Sequence, residues 1–224
     1  MFKPKLWMTV ALAVAVAAPS WAQGRGQGRF GGAFGGPGGV VLQLVRMPEV
    51  QAELKLTDEQ KVKLQQVGQE LLQSGRELLQ GLRDLSPEER EKRRQEFQAE
   101  TTKRINAVLN EEQRKRLRQL VLQRQGVAII AQDEEVAQQL KVTNDQKLKI
   151  QDIVRAANEE RRALLQGGFG GGGGGVSPEM RARMNEITRK TNEKIEAVLT
   201  DEQKKQWKEM CGAPFDFPEP RRAA

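Results

Sequence analysis

The stretch VQAELKLTDEQKVKL at residues 50–64 decides the fold, because the chain contains a second version of it. Residues 136–150 read VAQQLKVTNDQKLKI. Further along each version, INAVLNEEQ at residues 105–113 matches IEAVLTDEQ at residues 195–203. Self-similarity at a constant spacing indicates an internal repeat, in which each copy is one structural unit.

The spacing between the copies locates an insertion. The first pair of stretches is offset by 86 residues and the second pair by 90, and the change falls at the glycine-rich stretch 167–176. We therefore predict one copy at residues 40–126 and another at 127–213, with a mobile glycine-rich loop over 167–176 in the second.

A short motif, Leu-Thr-x-x-Gln or a close variant, starts a helix at four places. In the first, Thr57 is the predicted N-cap. Its hydroxyl accepts a hydrogen bond from the backbone N–H of Gln60, whose side chain returns to the N–H of Thr57. Acidic residues at the next positions suit the positive end of the helix dipole. The motif residues are Leu56, Thr57, Gln60, Leu109, Asn110, Gln113, Val142, Thr143, Gln146, Leu199, Thr200 and Gln203.

The segments between these starts carry a helical pattern. A leucine recurs every seven residues from Leu64 to Leu85, which is typical of an amphipathic helix. Serine followed by proline marks two more helix starts, at Ser86 and Ser177. The pattern predicts long or terminal helices over residues 58–83, 87–108, 110–125, 178–198 and 200–211. Because no stretch has the pattern of a strand, we predict an all-α fold: two tandem repeats of helical hairpins.

The N-terminus has the pattern of a secretory signal peptide. Residues 1–5 are basic, residues 6–18 are apolar, and small residues precede a cleavage point after Ala22. The apolar run is shorter than a membrane span needs. We predict a signal peptide at 1–22, a periplasmic or secreted protein without a membrane span, a flexible glycine-rich leader at 23–39 and a C-terminal tail at 214–224.

Composition excludes several kinds of site. The chain has no histidine and one cysteine, so histidine-dependent catalysis, imidazole metal sites and internal disulfides are excluded. Its formal net charge of +7 is modest for 224 residues and, with export, argues against nucleic acid as a partner. We predict no enzyme, no cofactor and no metal site. Cys211 is expected to be a small buried side chain; a thiol that joins two chains is the alternative.

Two stretches resemble a known family. LKLTDEQK at residues 54–61 and VLTDEQKKQW at residues 198–207 are similar to the Leu-Thr-x-x-Gln family of periplasmic, Spy/CpxP-like proteins. The resemblance covers most of residues 48–125 and 134–211, and it implies an all-helical extracytoplasmic protein. Members of the family form cradle-shaped antiparallel dimers. Because this chain holds two copies, we expect a homodimer or an intramolecular pseudo-dimer of the two repeats.

The resemblance implies a function of binding. Spy-like members hold unfolding proteins without ATP, so the leading prediction is a chaperone-like protein for unfolded or aggregation-prone envelope proteins. CpxP-like members act as adaptors of an envelope-stress sensor, which gives the alternative of a protein that binds one partner. A structural envelope protein without clients is a third possibility. A zinc-binding branch of the family uses histidines, which this chain lacks.

One helix face in each copy is a candidate client-binding surface. Arg90, Arg94 and Phe97 lie on one face of the helix 87–108. The second copy has Met180, Met184 and Ile187 at the matching positions. Methionine adapts to irregular partners, and arginine attracts acidic segments while its stem covers apolar groups. A solvated arginine face and ordinary core packing are the alternatives for these residues.

Overall fold

A computed structural model describes residues 37–82, 84–168 and 177–218 of the chain. Within these ranges every regular element is helical, so the all-α prediction is confirmed. We call residues 37–126 the first half and residues 127–218 the second half. The helices are α1 (Pro37–Leu44), α2 (Pro48–Glu53), α3 (Asp58–Gly81), α4 (Pro87–Asn106), α5 (Glu111–Gln125), a 3-10 helix (Val127–Ala131), α6 (Glu134–Gln139), α7 (Asn144–Gly168), α8 (Pro178–Val198) and α9 (Asp201–Cys211).

The helix bounds agree closely with the sequence pattern, and the differences are at the margins. Helix α7 continues to Gly168, so the first two residues of the loop expected at 167–176 are helical. Helix α1 begins at Pro37, so the end of the leader expected at 23–39 is helical as well. The signal peptide at 1–22 lies outside the described residues, as do 23–36, 169–176 and 219–224.

The predicted caps are present at all four motifs. The Thr57 hydroxyl accepts a hydrogen bond from the N–H of Gln60 at 3.2 Å, and the Gln60 side chain accepts one from the N–H of Thr57 at 3.1 Å. The same reciprocal bonds occur at Asn110, Thr143 and Thr200. Each cap satisfies N–H groups that have no partner within the helix, so each motif fixes where its helix starts.

Both halves pack their long helices antiparallel. The start of α3 is bonded to the end of α4, because Gln60 Nε2 donates to the carbonyl of Val108 at 3.0 Å. The start of α7 is bonded to the end of α8 in the same way, through Gln146 Nε2 and the carbonyl of Val198 at 2.9 Å. Two segments that the sequence pattern did not single out pack against these helices: α1 lies against α4 and α5, and the 3-10 helix lies against α7 and α8.

Helix α5 lies between the halves. It packs against α1 on one side and against α9 and the 3-10 helix on the other. Its buried side chains Leu117, Leu120, Val121 and Leu122 cover an arc of about 200° at ~100° per residue. The chain passes from α5 into the second half at Gly126, which has a φ of 69°. The halves are therefore joined through a shared helix with one wide buried face.

The helices α2 and α6 end in the same unusual way. Lys55 has a φ of 49° and Lys141 a φ of 51°, and both follow the last turn of a short helix. Two backbone bonds close the turn at each site. In the first, the N–H of Lys55 donates to Ala52 and that of Leu56 to Gln51; in the second, the N–H of Lys141 donates to Gln138 and that of Val142 to Ala137. This is the Schellman arrangement, which glycine usually occupies, because a Cβ is strained at positive φ.

No helix in the described ranges combines the length and the apolar character that crossing a bilayer requires.

Candidate binding surfaces

The glutamines of the motifs meet in pairs. In the first half, Gln60 Nε2 donates to Gln113 Oε1 at 2.8 Å and Gln113 Nε2 donates to Gln60 Oε1 at 3.0 Å. Gln113 Nε2 also donates to the carbonyl of Leu54 at 3.1 Å. Gln113 is 8% exposed, so these bonds form in a largely dry environment. The pair ties the starts of α3 and α5 to the end of α2.

The second half contains the matching pair. Gln146 and Gln203 exchange hydrogen bonds of 2.9 and 3.0 Å, and Gln203 Nε2 also donates to the carbonyl of Lys141 at 3.3 Å. Because the glutamine atoms are occupied by backbone and by each other, the motif residues have a structural role in this geometry. The sequence predicted the local cap and missed the pairing.

The predicted face of α4 is only partly open. Arg90 Nε donates to the carbonyl of Leu82 at 2.8 Å, across the turn that joins α3 to α4. Phe97 is half-buried and packs against the core. Arg94 is the exposed member, 3.7 Å from Glu91. The structure therefore gives two of the three residues contacts that support the fold.

The predicted face of α8 has an apolar end. Ile187 is 5% exposed, while Met184 and Met180 lie about one and two turns nearer the start of α8 and are half-buried. Ile187 forms part of the lining of an open groove of about 420 Å³ between α7 and α8. The groove is lined by Glu160, Ala163, Leu164, Arg183, Glu186, Ile187 and Lys190.

The α7–α8 groove combines an apolar floor with charges of both signs. Ala163, Leu164 and Ile187 provide the apolar surface. On the rim, Lys190 Nζ lies 2.9 Å from Glu186 Oε1, and both side chains are more than half exposed. The hydrogen bond from Lys190 lowers the pKa of Glu186, and the same bond raises the pKa of Lys190. Both groups therefore stay charged at neutral pH.

The residues of α7 were not among the candidates predicted from the sequence. Leu164 belongs to the apolar stripe of its helix, and periodicity alone does not show which residue of such a stripe stays accessible to solvent. That depends on how far the neighbouring helix covers it. A groove can be read only from the packing of two helices.

A second cleft separates α4 from α5 and α6, and most of the residues that line it are of polar or charged types. It has a volume of about 520 Å³, and Arg118 at its edge donates to Asp133 at 2.7 Å. Its α4 wall carries amide, hydroxyl and amine groups from Gln95, Gln98, Thr102, Lys103 and Asn106. Ala99 is the one apolar residue in the lining of this cleft, whereas the α7–α8 groove presents Leu164 and Ile187, so the groove is the better site for large apolar side chains.

Cys211 is half-buried on α9. Burial raises the pKa of its thiol to about 11, so the reactive thiolate is scarce at neutral pH. The expectation was a buried side chain; the structure places Cys211 against the core but leaves it partly exposed.

Within the described ranges, no three or more carboxylate or thiol groups lie together as metal ligands would. Comparisons with models of protein families, with curated proteins and with solved structures found no match.

Proposed function

We propose that this chain is an ATP-independent, chaperone-like protein that binds unfolded or aggregation-prone proteins of the cell envelope. It acts by binding, without catalysis, in the periplasm or outside the cell. The observation that carries the proposal is the α7–α8 groove, with Leu164 and Ile187 in its lining and Glu186 and Lys190 on its rim.

The groove suits unfolded segments for physical reasons. Such segments expose apolar side chains next to charged ones, without one fixed shape. An apolar floor gains free energy from any of them, at about 25 cal/mol per Å² of surface removed from water. The rim charges of both signs add weak, screened attraction to acidic or basic neighbours. Met180 and Met184 extend the apolar surface with flexible side chains.

The proposal includes two tandem Spy/CpxP-like repeats that pair within one chain. Matching contacts support it. Arg116 of α5 lies 2.7 Å from Glu53, and Gln206 of α9 donates to the carbonyl of Gln139 at 2.7 Å, which are equivalent positions in the two copies. The equivalent helices α5 and α9 also pack against each other. That arrangement is what an intramolecular pseudo-dimer requires.

The test is an aggregation assay with the chain from residue 23 to residue 224. Two unrelated denatured proteins are diluted into buffer without nucleotide, and light scattering is recorded with increasing amounts of this protein. We expect suppression for both clients. Absence of suppression at several-fold excess contradicts the proposal and returns the single-partner adaptor as the better hypothesis.

A substitution in the groove localises the activity. Leu164→Lys places a charge on the apolar floor and removes about 1 kcal/mol of apolar burial, so roughly fivefold more protein is needed for equal suppression. Leu148→Lys is the matched control, because Leu148 is on the same helix, is 61% exposed and lies far from the groove. Far-UV circular dichroism checks that both variants remain helical. Equal activity of the two variants argues against the groove.

A further inference from the structure

The residues after α9 form an extended strap that lies on α5. We call residues 212–218 the strap; it follows α9 and runs without helix or strand. Gly212 has a φ of 66°, and a Cβ on it would lie 2.4 Å from the Gln119 side chain. Glycine is therefore required where the strap turns onto α5.

The side chain of Gln123 on α5 makes hydrogen bonds with the backbone at the start of the strap. Gln123 Nε2 donates to the carbonyls of Cys211 at 2.7 Å and Ala213 at 2.8 Å, and Gln123 Oε1 accepts from the N–H of Phe215 at 3.0 Å. Arg116 donates to the Ala213 carbonyl as well, at 2.9 Å. A side-chain amide that bonds the C=O of one residue and the N–H two residues on mimics a neighbouring β-strand.

The side chains of the strap alternate as in an extended peptide. Phe215 and Phe217 are half-buried against the core, while Asp216 between them is exposed. The two rings meet edge to face with centroids 5.0 Å apart, and the guanidinium of Arg124 lies 5.4 Å from the Phe217 centroid. Helix α5 thus bonds the backbone of the strap through Gln123 and contacts the second ring through Arg124, while both rings pack against the core.

The strap is attached by contacts that release easily. No residue from 213 to 218 is buried, and these residues make no backbone–backbone hydrogen bond with another described residue. The attachment consists of two polar side chains of α5, the Arg124 contact and two half-buried rings. Segments with few buried contacts open at low free energy, well below that of global unfolding.

We propose that the α5 surface made by Arg116, Gln119, Gln123 and Arg124 is a peptide-binding site, and that the strap is its resident ligand. The site takes extended segments of other polypeptides that carry two phenylalanines separated by one residue. It is distinct from the α7–α8 groove, so this inference goes beyond the proposed function and does not depend on it.

The experiment uses the full chain and a labelled peptide. The probe is a fluorescein-labelled peptide with the sequence GAPFDFP, and its anisotropy is followed during titration. In the double variant Phe215→Ser/Phe217→Ser the strap loses its rings and vacates the site. We expect this variant to bind the peptide about tenfold more tightly than the unaltered chain, because a resident competitor lowers apparent affinity.

Two controls identify the site. Adding Gln123→Leu to the double variant removes the backbone contacts, and we expect binding to fall to the level of the unaltered chain. The peptide GAPSDSP, without rings, is expected not to bind. Equal affinity of the double variant and the unaltered chain overturns the proposal, as does binding that survives Gln123→Leu.

A measurement on the unaltered chain tests the proposal even if the variants fail to fold. Hydrogen exchange of the Phe215 N–H reports how often the strap leaves Gln123. We expect this amide to exchange at least about a thousandfold faster than the amide of Leu120 in the middle of α5. Equal protection of the two amides means that the strap stays in place, and it overturns the proposal.

Discussion

Replacing Gln113 with methionine tests whether the glutamine pair holds the first half together. Methionine keeps the length and apolar stem of glutamine but makes no strong hydrogen bond. The substitution removes the partner of the Asn110 N–H and one partner of the Leu54 carbonyl, and it leaves the Gln60 amide with only its bonds to Thr57 and Val108. We expect α2, α3 and α5 to lose their common attachment point.

The magnitude follows from the four hydrogen bonds that the side chain of Gln113 makes. They span 2.8 to 3.1 Å and include two with Gln60, one with Leu54 and one with Asn110. A net value of about 1 kcal/mol per bond gives about 4 kcal/mol, and partial rehydration of the stranded groups reduces the expected loss to about 3 kcal/mol. That is a large part of the ~5–15 kcal/mol that stabilises a typical domain.

Urea unfolding of residues 23–224 measures this loss. Far-UV circular dichroism follows all helices, and fluorescence follows Trp207 of α9, which is the only tryptophan in that range. Because α5 joins the halves, we expect the two signals to change together. Gln66→Met is the control, because Gln66 is exposed and bonds only Glu70 on its own helix, so its loss is expected below about 0.5 kcal/mol.

A double-mutant cycle with Gln60→Met isolates the pair itself. The two glutamines share two bonds, so we expect a coupling free energy of about 1 kcal/mol or more. A loss below about 1 kcal/mol for Gln113→Met, or additive losses in the double variant, would refute the reasoning.

Two further predictions concern single positions of the second half. Lys141→Gly relieves the strain of a φ of 51°, so we expect the free energy of unfolding to rise by about 0.5–1 kcal/mol. The control Lys149→Gly lies inside α7 and is expected to lower that free energy by about 1 kcal/mol. If the urea midpoints of the two variants move in the same direction, this reasoning is contradicted. Cys211, with a pKa of about 11 against an ordinary 9.0, carries roughly 100-fold less thiolate at pH 8, so alkylation by iodoacetamide is expected to be slow and to accelerate as the pH rises; a rate equal to that of a free thiol, or independent of pH, counts against burial.

Local sequence signals predicted the helices well. Ser177 and Pro178 place the start of α8, and Gly126 and Gly212 mark where α5 and α9 end. Caps and breakers act within four or five residues, so a single stretch of sequence contains all the information that they need. The all-α class followed from the same signals.

The contacts between distant segments were not predictable in this way. The bond from Gln60 to Gln113 joins residues 53 positions apart. Each glutamine already has a role in its own helix cap, so nothing in the sequence indicates that the two also pair. Helix α1 has only eight residues, two of them glycine, and the strap is extended, so Leu44 and Phe215 gave no pattern to recognise. The groove at Leu164 and Ile187 depends on how two helices are placed, which periodicity does not specify.

The shared position of α5 has a consequence for how this protein tolerates change over generations. A substitution on α3 or α8 changes packing contacts mainly within one half of the molecule. A substitution on α5 can change its packing against α1, the 3-10 helix and α9 together. We expect the sequence of α5 to drift most slowly, and the two halves to diverge in step wherever they meet it.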